Sequence, residues 1–208
     1  MKHSNDSTMY DERSAAESRE TTSGSCNGHA WVDLGLRSGL RWATKNIGAE
    51  RPEEPGDYFA WGEIRPKRRF CEAIGLTDEL CVDDIGGDPS HDAASANWGA
   101  PWRMPRESEL QELIDTCEWA WTGSGFEVTG PNGRSLFLPA AGLRHEEKIR
   151  GEGSCNCWSA TPAAAPYAWF LDVGHFLHDV GQKTVALKSV NKLRRSDGLT
   201  VRAVVAPV

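Results

Sequence analysis

Apolar and polar positions along this chain alternate with two different periods, and each period predicts one kind of element. A helical stripe is formed by four apolar residues at i, i+3, i+4 and i+7: Leu110, Leu113, Ile114 and Cys117. Pro105 precedes this stretch, and Glu107 and Glu109 would lie in the first turn, where a carboxylate favours the helix dipole. The spacing predicts a helix over residues 106–117, with Cys117 buried as a small hydrophobic residue.

Alternation with a period of two predicts short strands in several places. The predicted strands are 31–34, 40–43, 119–121, 126–129, 135–138, 168–173 and 199–205. Two hairpins are expected, one around Ser38-Gly39 and one around Asn132-Gly133. The section 48–100 is rich in Pro, Gly and charge and has few element signals, which is typical of a functional loop or a loop-rich fold. Short strands, one firm helix and much coil predict an α+β fold.

Composition divides the chain into a tail and one domain. Residues 1–28 are polar and aperiodic and are expected to be a disordered tail, followed by a single domain over 29–208. The first twenty residues lack the apolar core of a signal peptide, and no segment has the run of about 18 apolar residues that a membrane span needs. A net charge of −7 argues against a nucleic-acid partner. The basic run 65–69 (RPKRR) is expected to be a solvated loop.

The stretch 155–181 has an unusual composition for this chain. It contains no Lys, Glu, Gln or Met, and it consists largely of small, aromatic and His residues. Rigid aromatic and small adaptable side chains provide contact area at a low entropy cost. This composition favours a recognition surface over a catalytic pocket.

Ordered motifs along the domain resemble one known family. They are HAWVDLGLRSGLRWAT (29–44), GDYFAWGE (56–63), NWGAPWRMP (97–105) with ELQEL (109–113), VTGPNG (128–133), FLPAAG (137–142), WS (158–159) with TP (161–162), and GLTVR (198–202). Together they resemble the Fibrobacter succinogenes major paralogous domain, over about 29–208. The resemblance implies a C-type-lectin-like fold of the type used by formylglycine-generating enzymes and by the variable proteins of diversity-generating retroelements. In that fold the termini pair as strands and long loops pack over a small second sheet.

Two departures from the family pattern affect what the resemblance implies. Arg106 stands where the family has a Thr N-cap, so the capping box with Glu109 is expected to be lost. The last strands carry Ala and His residues where the family is rich in Tyr, Asn and Ser.

The second departure suggests a retroelement-diversified variant. Randomising the adenines of an Asn codon cannot produce Lys, Glu, Gln, Met or Trp, and of these only Trp158 and Trp169 occur in 155–181, at scaffold positions of the family. By resemblance, positions that are variable or Asn/Tyr-like in the family form the ligand-binding face. The scaffold residue Trp169 is added to this face as an aromatic anchor. The twelve candidate residues are Cys155, Cys157, Ala163, Ala165, Tyr167, Trp169, Phe170, Asp172, His175, His178, Asp179 and Asp197.

Two metal sites are alternative interpretations of the same chain. Cys155 and Cys157 with His175 and His178 could form a zinc site, but the C-x-C spacing is poor and unconnected surface residues are favoured. A calcium site in the Gly-rich loop is weighed against a solvated acidic loop, which is favoured; its acidic residues are Asp83, Asp84, Asp88 and Asp92.

A cysteine-dependent oxidase is the enzymatic alternative that the shared fold suggests. It is disfavoured because Cys155 and Cys157 precede Trp158 and do not match the cysteine signature of formylglycine-generating enzymes, and because fold alone does not supply function.

The sequence therefore predicts a non-enzymatic binding module that needs no cofactor or metal. Tyr167, Trp169, Phe170 and the two His residues 175 and 178 are the candidate anchors, and the His pair would make binding pH-sensitive near 6.5. The partner would be a protein or surface ligand. The module would be either a diversified binder or a module with a fixed ligand, and the resemblance places such a protein on a cell surface or phage particle.

Five Trp residues are expected to lie in the core as packing residues (core pegs): Trp31, Trp42, Trp61, Trp98 and Trp102. Arg103 and Arg202 are expected to hold loops through carbonyl hydrogen bonds.

Overall fold

The computed structural model describes residues 22–71, 83–177 and 184–207, without the side chains of 175–177 and 184–186. Over these residues the protein is mostly β-sheet with two helices. In chain order the elements are β1 (Ser23–Cys26), β2 (His29–Asp33), β3 (Arg41–Ala43), α1 (Ala93–Trp98), α2 (Glu107–Thr116), β4 (Glu118–Trp121), β5 (Gly125–Thr129), β6 (Ser135–Pro139), β7 (Leu143–His145), β8 (Lys148–Arg150), β9 (Ser154–Pro162), β10 (Tyr167–Leu177), β11 (Thr184–Arg194) and β12 (Val204–Val205). The helices have six and ten residues, so neither of the two in the described ranges has the length of a bilayer crossing.

The first sheet joins the two ends of the described chain, in the order β1-β2-β3-β12. The predicted hairpin around Gly39 is confirmed, because β2 and β3 pair antiparallel with Val32 opposite Trp42. β1 lies inside the range predicted as a disordered tail, which corrects the boundary at residue 28. Asn27 and Gly28 have φ values of 49° and 79° and form the two-residue turn into β2. An Asn-Gly pair at such a turn is a strong hairpin signal that the sequence analysis overlooked.

Helix α2 confirms the predicted helix, and its apolar stripe is buried. The Arg106 guanidinium cannot accept a hydrogen bond, so the helix keeps only the Glu109 half of a capping box. The Glu109 carboxylate accepts the backbone N–H of Arg106 at 2.7 Å and binds the Arg103 guanidinium at 2.6 and 2.7 Å. Arg103 also donates to the Met104 carbonyl at 3.0 Å. The predicted carbonyl contact is therefore confirmed, with the carboxylate as a second partner.

The sheet β4-β5-β6 follows α2 and confirms the hairpin around Asn132-Gly133. Trp119 and Trp121 both pack edge-on against Phe126, at centroid distances of 6.0 and 5.1 Å. The alternation along the predicted strand 119–121 therefore places both Trp residues on one face of β4, against the same neighbour.

The section 48–100 is largely coil in its described part, with α1 at its end. Six residues are too few for helical periodicity to be recognised, which is why α1 was missed. The predicted Trp pegs are confirmed: Trp31, Trp42, Trp61 and Trp102 are buried, and Trp98 is half-buried. Trp98 stacks on His29 with a centroid distance of 3.9 Å.

The sheet β11-β10-β9 lies between two apolar clusters. On one face of β9 and β10, Trp158 and Phe170 pack into the first cluster; on the other face, Cys157 and Leu171 pack into the second. The predicted strand 168–173 is confirmed as part of β10. β10 pairs over its eleven residues with β11, which the sequence analysis did not predict.

The segment 199–205 is buried but is a regular strand only at β12. Most of its backbone hydrogen bonds go to separate loops and strands, including Ile47 N–H to the Val201 carbonyl and Trp158 N–H to the Thr200 carbonyl. The prediction of one strand across this range is therefore wrong in length. A segment that pairs with several different neighbours cannot form one ladder.

Arg202 joins three of these neighbours from a fully buried position. Its guanidinium donates to the Asn46 side chain at 2.8 Å and to the carbonyls of Ala43 and Phe137 at 3.1 and 2.9 Å. Burial lowers the pKa of Arg202 to about 10. The predicted role of Arg202 in holding loops through carbonyls is confirmed.

Candidate binding surface

Four of the predicted binding residues are buried, which corrects their assignment to an exposed face: Cys155, Cys157, Phe170 and Asp197, at 1, 3, 4 and 6% exposure. The ring of Phe170 packs edge-on against Trp158 at 6.2 Å. Asp197 holds Nδ1 of His145 at 2.7 Å. The reason for the error on the strands is that β9 and residues 170–173 of β10 have apolar clusters on both faces, so strand alternation does not produce an outward set there.

The two buried cysteines are engaged as weak hydrogen-bonding groups. The Cys155 thiol donates to the Leu138 carbonyl at 3.0 Å, and Cys157 lies 3.3 Å from the Thr200 hydroxyl. Burial raises the pKa of both thiols. Because the thiolate is the reactive form, this environment disfavours nucleophilic or copper-binding chemistry at either sulfur.

Three further predicted residues fall in or beside the region without a side-chain description. His178 and Asp179 lie outside the described residues, and His175 is described only as a backbone position in β10, opposite Ala186. The proposed zinc set and the proposed pH-sensitive His pair therefore remain predictions. Within the described residues, no cluster of three or more His, Cys, Asp or Glu has the arrangement of a metal site.

The acidic loop considered for calcium uses its carboxylates to hold its own backbone. Asp92 is fully buried at the N-cap of α1, where it accepts the N–H groups of Ala94 at 2.7 Å and Ser95 at 3.1 Å, and those of Gly87 and Met104 at 2.8 Å. Burial raises the pKa of Asp92, and the four N–H groups act against that rise. Asp92 is therefore a structural cap.

Two other carboxylates of this loop are also occupied. Asp84 accepts the Thr161 hydroxyl and lies 3.4 Å from the Arg106 guanidinium. Asp88 accepts the Ser90 N–H and contacts His91 at 2.8 Å. Asp84 and Asp88 are exposed, as expected of the solvated acidic loop that the sequence favours, whereas the burial of Asp92 corrects its assignment to that solvated loop.

The remaining predicted residues reach the surface around the start of β10: Ala163, Ala165, Tyr167, Trp169 and Asp172 are exposed or half-buried. Tyr167 has 36% exposure and is one of three large hydrophobic residues found exposed in the described chain. Trp169 is half-buried and lies under the ammonium group of Lys192, 4.5 Å from its ring centroid.

Strand register extends these aromatics into a mixed surface. Tyr167 is opposite Arg194, and Trp169 is opposite Lys192, so the four side chains share one face of the β10–β11 pair. We call these four residues the aromatic–basic patch. Sequence reasoning missed Lys192 and Arg194 because it assigned no strand to 184–194, where apolar and polar residues do not alternate regularly.

A buried arginine fixes the turn that leads into the patch. Arg195 donates to the carbonyls of Tyr167 at 3.0 Å and Ala163 at 3.3 Å, and its guanidinium stacks 4.5 Å from the Trp61 ring. Ala163 and Tyr167 are also joined by a backbone hydrogen bond of 3.1 Å. The turn 163–167 is therefore held on both sides, as a preorganised binding surface requires.

The opposite face of the same strand pair packs into the core at Phe170 and is polar around Asp172. Asn191 donates to the Asp172 carboxylate at 3.3 Å, and Ser189 donates to the Asp172 carbonyl at 3.4 Å. Leu187, at 61% exposure, is the most exposed large hydrophobic residue of the described chain. The predicted residue Asp172 therefore lies on the other side of the sheet from Tyr167 and Trp169, and one flat ligand cannot contact all three.

Comparison with known proteins identified no relative: no family model, curated protein or solved structure matched this chain.

Proposed function

We propose that this protein is a non-enzymatic binding module with a C-type-lectin-like fold, which contacts a protein or surface ligand through the aromatic–basic patch and the adjoining turn 163–167. The observation that carries the proposal is that Tyr167 is exposed and Trp169 half-exposed on a sheet whose strand β9 and residues 170–173 of β10 are largely packed into the core. Aromatic and Arg side chains in such positions are enriched among residues that dominate binding energy.

The resemblance to the Fibrobacter succinogenes major paralogous domain supports the fold. That resemblance implies termini that pair as strands, and the antiparallel pairing of β12 with β3 beside β2 agrees with it. Long coil sections around a small sheet agree with it as well.

The alternative of a cysteine-dependent oxidase receives less support. Cys155 and Cys157 are buried, and their pKa values are raised by that burial, so neither thiol has the exposure that a substrate thiol or copper ion would need. A fixed-ligand module and a diversified binder both agree with the exposed patch. A reverse transcriptase gene with an adenine-rich template repeat beside this gene would support diversification, and the absence of both would favour a fixed ligand.

The binding proposal is tested by removing the aromatic anchors together. Wild-type protein, the double variant Tyr167→Ala/Trp169→Ala and the control Arg134→Ala would each be immobilised and exposed to extracts of the source cells or their surroundings. Any retained protein would then be purified and titrated against all three. We expect the double variant to weaken binding at least about a hundredfold, because hot-spot aromatics each contribute about 2 kcal/mol or more.

Arg134 is a matched control because it is exposed in the β5–β6 turn, away from the patch. Thermal unfolding of each variant would show whether the fold is kept. Unchanged affinity of a folded double variant for the purified partner would refute the assignment of the patch.

A further inference from the structure

A cavity of about 330 Å³ lies away from the aromatic–basic patch, between the loop after β3 and strand β7. Its lining includes three cationic residues, Lys67, Arg68 and Arg144, together with Tyr58 and Asp57. The volume is in the range of small-molecule sites, which begin at roughly 300 Å³. None of the twelve residues predicted from sequence lines this cavity, so a ligand bound in it would be independent of the proposed function.

The basic run 65–69 supplies one wall of the cavity. Arg65, Arg68 and Arg69 are exposed, as expected of a solvated loop, but Lys67 is half-buried. The Lys67 ammonium group is 2.7 Å from the Glu63 carboxylate, so its charge is already compensated. Arg68 has no ion-pair partner in the part of the chain that the structure describes, and its charge is available to the cavity.

Arg144 on strand β7 also lines the cavity and is held in a fixed position. Its backbone pairs with Gly198 through two hydrogen bonds of 2.8 Å, and its guanidinium lies 4.6 Å from the Tyr58 ring centroid. The Tyr58 hydroxyl donates to the Ala141 carbonyl, which holds the ring in place. Burial raises the pKa of Tyr58, and the nearby Arg144 charge opposes that rise.

The Arg144 side chain lines the cavity, and one of its N–H groups, at Nε, is unpaired. This N–H group is buried and has no hydrogen-bond partner among the described residues. Buried N–H donors are nearly always paired in folded proteins, with protein, water or ligand. A guanidinium that is held by stacking and has an unpaired N–H is suited to a planar or tetrahedral oxyanion, which it can bind through two parallel hydrogen bonds.

We propose that this cavity binds a small oxyanion, a carboxylate or a phosphate, through Arg144 and Arg68, and that Asp57 accepts a hydrogen bond from a hydroxyl group of the same ligand. The ligand class that combines both features is an acidic sugar or a related polyhydroxy acid. With Lys67 compensated by Glu63, two cationic side chains and one carboxylate remain in the lining, and this net charge of +1 favours a ligand with one charged group over a polyanion.

Titration calorimetry at low ionic strength and neutral pH tests the proposal with three probes: glucuronate, glucose and inorganic phosphate. We expect saturable binding of glucuronate, weaker binding of phosphate, and no binding of glucose, which has the hydroxyls without the carboxylate. Added sodium chloride should weaken glucuronate binding, because the contact is between charges at a partly exposed site.

Variants separate the cavity from general attraction to basic residues. Arg68→Ala and Arg144→Met should each lower the affinity for glucuronate at least about tenfold. Asp57→Ala should lower the ratio of glucuronate affinity to phosphate affinity, because it removes the acceptor for the sugar hydroxyl and takes the same repulsion away from both anions. Arg134→Ala, which removes an exposed arginine elsewhere, should change neither.

Arg68→Ala is the decisive variant because Arg68 is exposed and its loss does not threaten the fold. Failure of both glucuronate and phosphate to bind the wild type saturably would overturn the proposal. Equal losses in Arg68→Ala and Arg134→Ala, or glucose binding as tight as glucuronate binding, would also overturn it. None of these outcomes bears on the aromatic–basic patch.

Discussion

At the scale of single residues, burial separates the roles of side chains that the sequence grouped together. Cys155 and Tyr167 belong to the same compositionally unusual stretch, yet one is 1% exposed and the other 36%. The difference arises because β9 is covered on both faces whereas the start of β10 emerges at the edge of the packed region. Composition describes which residues a stretch contains, and neighbours from distant segments decide which of them meet solvent.

The rate at which each cysteine thiol reacts measures its burial directly. On treatment of the native, reduced protein with iodoacetamide near neutral pH, we expect the half-exposed Cys26 and Cys71 to react early, and Cys155 and Cys157 to react only when the protein unfolds. Burial raises the pKa of both thiols and reduces the reactive thiolate. Peptide mass spectrometry over time would give the rate at each site.

Cys117 provides an internal comparison, because burial raises its pKa to about 11 and it should also react slowly. Modification of Cys155 and Cys157 as fast as Cys26 would show that the native state opens around β9. That result would also strengthen the oxidase alternative.

At the scale of elements, the β10–β11 pair is the feature that most affects the candidate surface. β11 is the outer strand of its sheet and contains Lys188, Lys192 and Arg194. Long charged side chains on an outer strand are a common protection against edge-to-edge association. Lys192 also covers Trp169, so the same side chain protects the edge and limits access to an aromatic anchor.

The two faces of β11 should respond differently to truncation. Val190 packs against the second apolar cluster opposite Leu171, whereas Leu187 is 61% exposed. We expect Val190→Ala to lower the free energy of unfolding by about 1 kcal/mol through lost burial. Leu187→Ala should change it by less than about 0.5 kcal/mol.

Urea denaturation followed by Trp fluorescence would measure both variants. If both variants lost the same free energy of unfolding, Leu187 would be buried in solution, and the packing of β11 would differ from that in this structure.

At the scale of the whole molecule, the two ends of the described chain are tied into one sheet, and a cluster of rings closes over it. His29 on β2 stacks on Trp98 and meets Trp102 edge-on at 6.4 Å. Burial, with a smaller contribution from Lys45, lowers the pKa of His29. Protonation of this imidazole is therefore less favourable in the folded than in the unfolded protein.

The pH dependence of stability has a definite sign. A lowered folded-state pKa means that the stabilising contribution is present above the unfolded pKa of about 6.5 and is lost as the pH falls below it. We expect the free energy of unfolding to fall more steeply between about pH 7 and 5 in the wild type than in His29→Phe, which keeps the ring stack without the titration.

Denaturant titrations across this range would give the two slopes. Two carboxylates titrate in a different range. The pKa of Glu54 is lowered mainly by a hydrogen bond to the Glu50 backbone, and that of Asp88 mainly by a hydrogen bond to the His91 side chain. Their contributions to the free energy of unfolding are therefore lost only below about pH 4. Identical slopes for the two proteins between pH 7 and 5 would exclude His29 as the source.

Local features of the chain were predicted well because their causes are local. The stripe from Leu110 to Cys117 specifies α2 through its own spacing, and Gly133 specifies the β5–β6 turn through its positive φ of 76°. The buried Trp pegs and the carbonyl contacts of Arg202 were also predicted. β1 and α1 were missed although their signals, the Asn27-Gly28 turn and the Asp92 cap, are local as well.

The sequence by itself determined one helix, two hairpins and an aromatic core, because periodicity and turn chemistry act between near neighbours. Only the tertiary structure decided that Cys157 and Phe170 are internal while Trp169 borders solvent, since this depends on which distant segments cover each face of the sheet. It alone brought Tyr58, Arg68 and Arg144 around one cavity. The physical reason is that apolar burial and charge proximity depend on the packed arrangement of segments far apart in the chain, which spacing along the chain does not encode.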